Sequence, residues 1–186
     1  MYGHYMRHKF DVQLMELKKK IITMSGLVNK AIDQAMLSLK ERDLELAEKV
    51  IADDEIINNM ERGIEQLCTH LVATHQPFAS ELRTIVASYK MITSLERMGD
   101  LAVDIAKVSL KIGPVPLIKP LIDLPKMAEI VIKMIHTAVE AYINKDIEQA
   151  RSLAKMDHEV DRYYNNIFVE LNEMMINDPK VAAQGV

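Results

Sequence analysis

Residues 14–40 read LMELKKKIITMSGLVNKAIDQAMLSLK. Within them Leu14, Leu17, Ile21, Met24, Val28, Ala31, Ala35 and Leu39 recur at spacings of three and four, the signature of a long helix with one buried stripe. Glu41-Arg42-Asp43 interrupts that stripe, and Asp43 is placed to cap the next helix. This second helix runs from about Leu44 to Thr74 and stops at His75-Gln76-Pro77, because proline disfavours helix in the residue before it. Ser80 is the expected cap of a third helix, carried by Leu82, Ile85, Tyr89 and Ile92 and continuing to Leu110. Helices of this length joined by short turns fold back antiparallel, so residues 1–112 form an all-α three-helix bundle.

Gly113, Pro114, Pro116, Pro120 and Pro125 make residues 113–125 a linker that is not helical throughout. After it the pattern restarts. A shift of 103 positions lays Asp146-Ile147-Glu148 on Asp43-Leu44-Glu45, Ala138 on Ala35, Asp157 on Asp54, Val160 on Ile57 and Ile167 on Ile64. Residues 126–186 thus begin a second copy of the unit, and solenoid periods are far shorter than this one. The expected fold is two tandem repeats of a long antiparallel three-helix bundle. The same shift carries Glu96 and Asp100 past Val186, so the second bundle is expected to lack most of its third helix.

Aliphatic residues and Met dominate the composition, with no Trp and three Phe, which suits long packed helices. A net charge of -4 argues against nucleic-acid binding, which needs a basic stripe for the phosphates. The one basic run, Lys18-Lys19-Lys20, reads as a solvated helix turn. A single cysteine, Cys68, fits a reducing, cytoplasmic setting and sits among Ile64, Leu67, Leu71 and Val72 as a core residue. The charged first ten residues are no secretion signal, and no run of 18 apolar residues is free of charge, so no membrane span is expected.

The anomaly in this apolar scheme is acidic. The core stripe of the second helix runs Ala47, Val50, Asp54, Ile57, Glu61, Ile64, Cys68; that of the third runs Leu82, Ile85, Tyr89, Ile92, Glu96, Gly99, Val103, Ala106. Glu96, Asp100 and Asp104 stack at i, i+4 and i+8, where like charges cost about 0.2–0.5 kcal/mol per pair even on an exposed helix. If the two helices turn near residue 77, facing positions have numbers adding to about 154, so Asp54 faces Asp100 and Asn58 faces Glu96. Ser25, Gly26 and Asn29 of the first helix, small or polar, lie near that height. Clustered carboxylates require a compensating cation or a shared proton, and oxygen donors suit hard or borderline metal ions. The bland alternative is an exposed acidic face paired with Arg62, Arg97 or Lys107. His136 and His158 read as surface or helix-packing histidines rather than ligands, and no Glu is followed three residues later by His, as di-iron bundle oxidases require. No Gly-rich phosphate loop, GxSxG or CxxC is present.

Leu95-Glu96-Arg97-Met98-Gly99-Asp100, continuing through Asp104-Ile105-Ala106, resembles the signature of the PhoU family of phosphate-transport regulators. Gln76-Pro77-x-Ala79-x-x-Leu82-Arg83 and Met24-Ser25-Gly26 match it as well, and the resemblance covers nearly the whole chain. It implies acidic E/D-x-x-x-D motifs that bind iron, zinc, manganese or magnesium. It also implies action with the phosphate importer and a phosphate-sensing histidine kinase to shut down the phosphate-starvation response. By that resemblance Glu96 and Asp100 fill the first motif with Asp104 beside them, and Asp54, Asn58 and their repeat mates Asp157 and Asp161 are the paired positions of the second and fifth helices. The expected function is that of a metal-binding regulatory adaptor, not an enzyme. A metal-dependent carboxylate-bundle hydrolase or oxidase is the rival.

In the second unit, helices over about 123–144 and 147–176 would form a hairpin, and Asn177-Asp178-Pro179 reads as a fresh helix start. Ile130, Met134, Ala138, Leu153, Val160, Tyr164, Ile167, Leu171 and Met174 are more apolar surface than two helices hide. Self-association as a two-fold homodimer through this unit is the expectation.

Overall fold

The computed structural model describes residues 2–185 and, within them, the side chains of all but residues 2–6 and 183. It is all-α over the described residues: α1 Tyr2–Glu41, α2 Leu44–His75, α3 Ala79–Ile112, α4 Asp123–Asn144, α5 Ile147–Asn177, a 3-10 turn Pro179–Val181 and the short α6 Ala182–Gly185. The boundaries follow local chemistry. Asp43 and Asp146, repeat mates, cap α2 and α5 alike, accepting from the backbone N–H of Leu46 and of Gln149. Asp178 accepts from Lys180 N–H, with Pro179 in the first position of the turn it caps. Ser80 does not cap α3. Phe78 is the N-cap, and the Glu81 carboxylate reaches back to accept from the Phe78 N–H, which satisfies the orphan donor there. Gly113 ends α3 at φ 71°, ψ -157°, a conformation that only glycine adopts without strain.

α1, α2 and α3 pack as one bundle around Leu17, Ile21, Met24, Val28, Ile64, Leu71 and Ile92, all essentially inaccessible. Ser38 and Ser109, buried on α1 and α3, join their hydroxyls at 3.0 Å, so these polar groups enter the core as a pair. The second unit is not a separate core. α4 lies along α1, and its Ile135 and Val139 belong to the same apolar cluster as the bundle. Tyr142 Oη bonds Ser88 Oγ of α3 at 2.6 Å, and Lys18 Nζ donates to the Ile143 carbonyl at 3.4 Å.

α5 packs mainly on α4 and on the turn and short helix C-terminal to it. Of the apolar positions of this hairpin, Ile167 is buried, Ile130, Met134, Ala138, Leu153, Val160, Leu171 and Met174 are half-buried, and Tyr164 is exposed. Tyr164 stacks on Phe168, centroids 6.1 Å apart, with both rings 57% exposed. No described helix is long and apolar enough to cross a membrane.

Candidate functional site

The α2–α3 hairpin sets the site. Cys68 Sγ lies 4.0 Å from the Ile85 carbonyl, and Asp54 Oδ1 lies 3.5 Å from where a Cβ on Gly99 would sit, so the register expected from the turn holds along both helices. A Cβ at Gly99 would also stand 3.2 Å from Ile57 Cδ1, tighter than ordinary contact. Glycine at this position therefore lets α2 come close to α3 at the level of the carboxylates.

Asp54 is half-buried. Its Oδ2 accepts from Asn58 Nδ2 at 2.9 Å, while its Oδ1 is buried with no hydrogen-bond partner. An ionised oxygen out of water without a donor is costly unless a cation or proton meets it. Burial raises the Asp54 pKa above the usual carboxylate value, the Asn58 bond opposes that rise, and the charge of Asp100 adds to it. Burial likewise raises Glu96, with Asp100 and Asp54 adding to the shift. Glu61, two turns along α2 from Asp54, is raised by burial and then by Glu96, Glu65 and Asp100. Asp100 itself is exposed, at the open edge of the group. Carboxylates from two helices thus favour one another's protonated forms. None of Asp54, Glu61, Glu96 and Asp100 makes an ion pair within 4 Å among the described residues; Arg62 turns to Glu55 instead.

Other expected members lie elsewhere. Asp104 is exposed and pairs with Lys107 at 3.1 Å, whose charge also reaches Asp54. Asn58 is present as a hydrogen-bond donor to Asp54, and its amide orients that carboxylate. Asp157 and Asp161 are exposed on α5, away from the α2–α3 cluster. His136 is exposed and faces Glu140 at 3.5 Å. Asn29 of α1 also carries a buried oxygen without a partner. Glu61 is the member that sequence reasoning leaves out of the site, although its spacing of seven from Asp54 on the α2 stripe points to it. Among the described residues no group of three or more His, Cys, Asp or Glu side chains is gathered so as to hold a metal ion.

The raised values fix a sign. A carboxyl whose pKa is higher folded than unfolded binds its proton more tightly when folded. It stabilises the fold at and below the ordinary range near about 4, and that stability is lost as pH rises through the raised folded value. In chelator-treated protein these three groups should therefore make unfolding easier at pH 7 than at a pH near the ordinary carboxylate range, about 4. Asp54→Asn should flatten that dependence and stabilise the protein at pH 7. Urea midpoints at the two pH values check this, and a steeper profile in the variant would contradict it.

The chain is similar to known proteins in sequence and in fold. The sequence profile of the PhoU domain matches residues 21–109 and 124–185, one stretch in each unit. A phosphate-specific transport system accessory protein PhoU homolog from Aquifex aeolicus is 37% identical over 172 residues, 92% of this chain and 78% of that protein. The crystal structure of PhoU from Pseudomonas aeruginosa superposes with a TM-score of 0.89 at 32% identity, over 95% of this chain and 85% of the other. The crystal structure of the phosphate transport system regulatory protein PhoU from Streptococcus pneumoniae gives 0.86 at 30% identity, over 95% and 83%.

Proposed function

We propose, since this chain belongs to the PhoU domain family, that it is a cation-binding adaptor that represses phosphate uptake and the phosphate-starvation response. Its relatives are named accessory and regulatory proteins of phosphate transport, not enzymes, and the chain is an accessory protein of that system. The finer reading is that it works in the cytoplasm by binding the phosphate importer and a phosphate-sensing histidine kinase, as a homodimer.

The observation that supports the cation is the buried, donorless Oδ1 of Asp54, a carboxyl whose pKa burial raises and the charge of Asp100 raises further. Asp54, Glu96, Asp100 and Asn58 are the proposed ligands, and their side chains would have to draw together around the ion, since no three carboxylates are gathered to hold one in this structure. An oxygen-only donor set fits magnesium, manganese, iron or zinc. When bound, the ion would add to the positive charge that Lys107 and Arg97 already bring toward Asp54 and Glu96, and would tie α2 to α3. Asp104, Asp157 and Asp161 play no part in this ion's shell. The rival enzyme reading finds no Glu-x-x-His pair and no nucleophile motif to build on.

The regulatory reading is tested in cells. Deletion of the gene should leave a phosphate-starvation reporter switched on in phosphate-rich medium, and restoring the chain should switch it off. A reporter that stays repressed in the deletion strain would overturn the reading.

A further inference from the structure

The face of α2 and α3 that bears the carboxylates does not end with them. Leu82, Val86 and Tyr89 continue the row of Glu96 and Asp100 toward the hairpin tip, and Val72 continues the row of Asp54, Asn58, Glu61 and Glu65. The hairpin register sets Val72 beside Leu82 and Glu65 beside Tyr89, whose hydroxyl pKa the Glu65 carboxylate raises. Spacing alone puts Leu82 and Tyr89 in the core, yet they are 39% and 45% exposed, as are Val86 at 48% and Val72 at 41%. The result is a two-row surface, apolar toward the tip and acidic toward the middle. Glu61 and Glu65 are half-buried there and have no basic partner within 4 Å among the described residues. From Val72 to Glu61 the surface is about 16 Å long, roughly three turns of helix.

We propose that this surface is a docking site for an amphipathic helix of a partner protein, its apolar face on Val72, Leu82, Val86 and Tyr89 and its lysines or arginines over Glu61 and Glu65. Charge complementarity selects that occupant. An acidic segment would meet unpaired carboxylates, and a wholly apolar one would bury them without a partner, whereas a basic helix of this length satisfies both halves. Three turns bring side chains of one face onto all four apolar positions at i, i+3, i+4 and i+7 spacing. The inference rests on the adaptor reading and names its partner surface. It assigns the surface a role separate from Asp54, Glu96 and Asp100, with Glu61 standing where the two meet.

The test uses the full chain, chelator-treated, and a fluorescent helical peptide with one leucine face and two lysines a turn apart. Anisotropy should show saturable binding that weakens about tenfold in Val86→Asp and again in Tyr89→Ala, both exposed positions that leave the core intact. Glu61→Gln with Glu65→Gln should weaken it and remove most of its salt dependence. Met15→Asp, on exposed α1 surface, should leave it unchanged. The proposal is overturned if the peptide fails to bind, if a permuted peptide of the same composition binds as well, or if Met15→Asp weakens binding as much as Val86→Asp. A deletion strain that loses repression while the Val86→Asp chain restores it fully would sink the docking surface and leave the adaptor reading standing.

Discussion

Adding manganese or zinc to the chelator-treated protein at about a hundred times its dissociation constant should stabilise the fold by about 2.7 kcal/mol. For a chain of this size that is a rise of about 5–10 °C in the unfolding midpoint. The effect arises because the ion binds the folded hairpin, where Asp54 lies level with Gly99, and finds no such pairing in the unfolded chain. Substitution separates ligation from general ion effects by sign. Asp54→Asn and Glu96→Gln should each raise the midpoint of the metal-free protein, because each relieves carboxylate crowding. The same substitutions should abolish most of the gain on adding metal. Loss of a structural contact alone would lower both midpoints. Equal midpoints with metal and with chelator in the parent protein would rule out ligation by these residues.

The second large effect concerns assembly. The chain exposes 11694 Å². A compact monomer of 21.2 kDa exposes about 9,100 Å². The long helices contribute to that excess, and so does the open side of the α4–α5 hairpin, where Tyr164, Phe168, Val169 and Ile176 are all more than half exposed. A standard interface removes about 800 Å² from each partner, so the excess leaves ample surface for one. The protein should therefore scatter light as a dimer at micromolar concentration. Tyr164→Glu with Phe168→Glu should convert it to a monomer. Completing the burial of each ring contributes about 2 kcal/mol, and two-fold symmetry counts every ring twice, so the dissociation constant should rise by more than about a thousandfold. A parent protein that scatters as a monomer would contradict a dimer built on the second unit.

Much of the fold was legible because capping and turn chemistry are local. Asp43, Pro77, Gly113 and Asp146 mark the observed boundaries to within a residue or two, and a hairpin's register follows from where it turns. That is why numbering alone sets Asp54 against Asp100. Ser80 fails as a cap because Phe78 and Glu81 provide the same service two residues earlier, and both solutions satisfy a free N–H.

The sides of a helix were harder to read than its ends. Leu82, Tyr89 and Glu96 repeat every seven residues, and a straight helix drifts about 20° per heptad from such a repeat. The buried line of α3 instead runs through Ile85, Ser88, Ile92, Leu95, Gly99, Ala102 and Ala106, leaving the heptad positions on its flank beside α2. Glu96 is half-buried for that reason, and Tyr89 is open to solvent. Asp104, one turn beyond Asp100, is exposed and pairs with Lys107. The share that α4 takes in the first core was not legible at all. Ile135 and Val139 have the same spacing whether they serve their own unit or its neighbour, and only tertiary contact with α1 decides.

Whether this family member carries a cation on the α2–α3 hairpin is decided by elemental analysis of the natively purified protein beside its Asp54→Asn, Glu96→Gln and Asp100→Asn variants. The parent should hold a stoichiometric transition metal or magnesium, with most of it lost in each variant. A parent free of metal, or variants that retain the full amount, would contradict a cation held by these carboxylates.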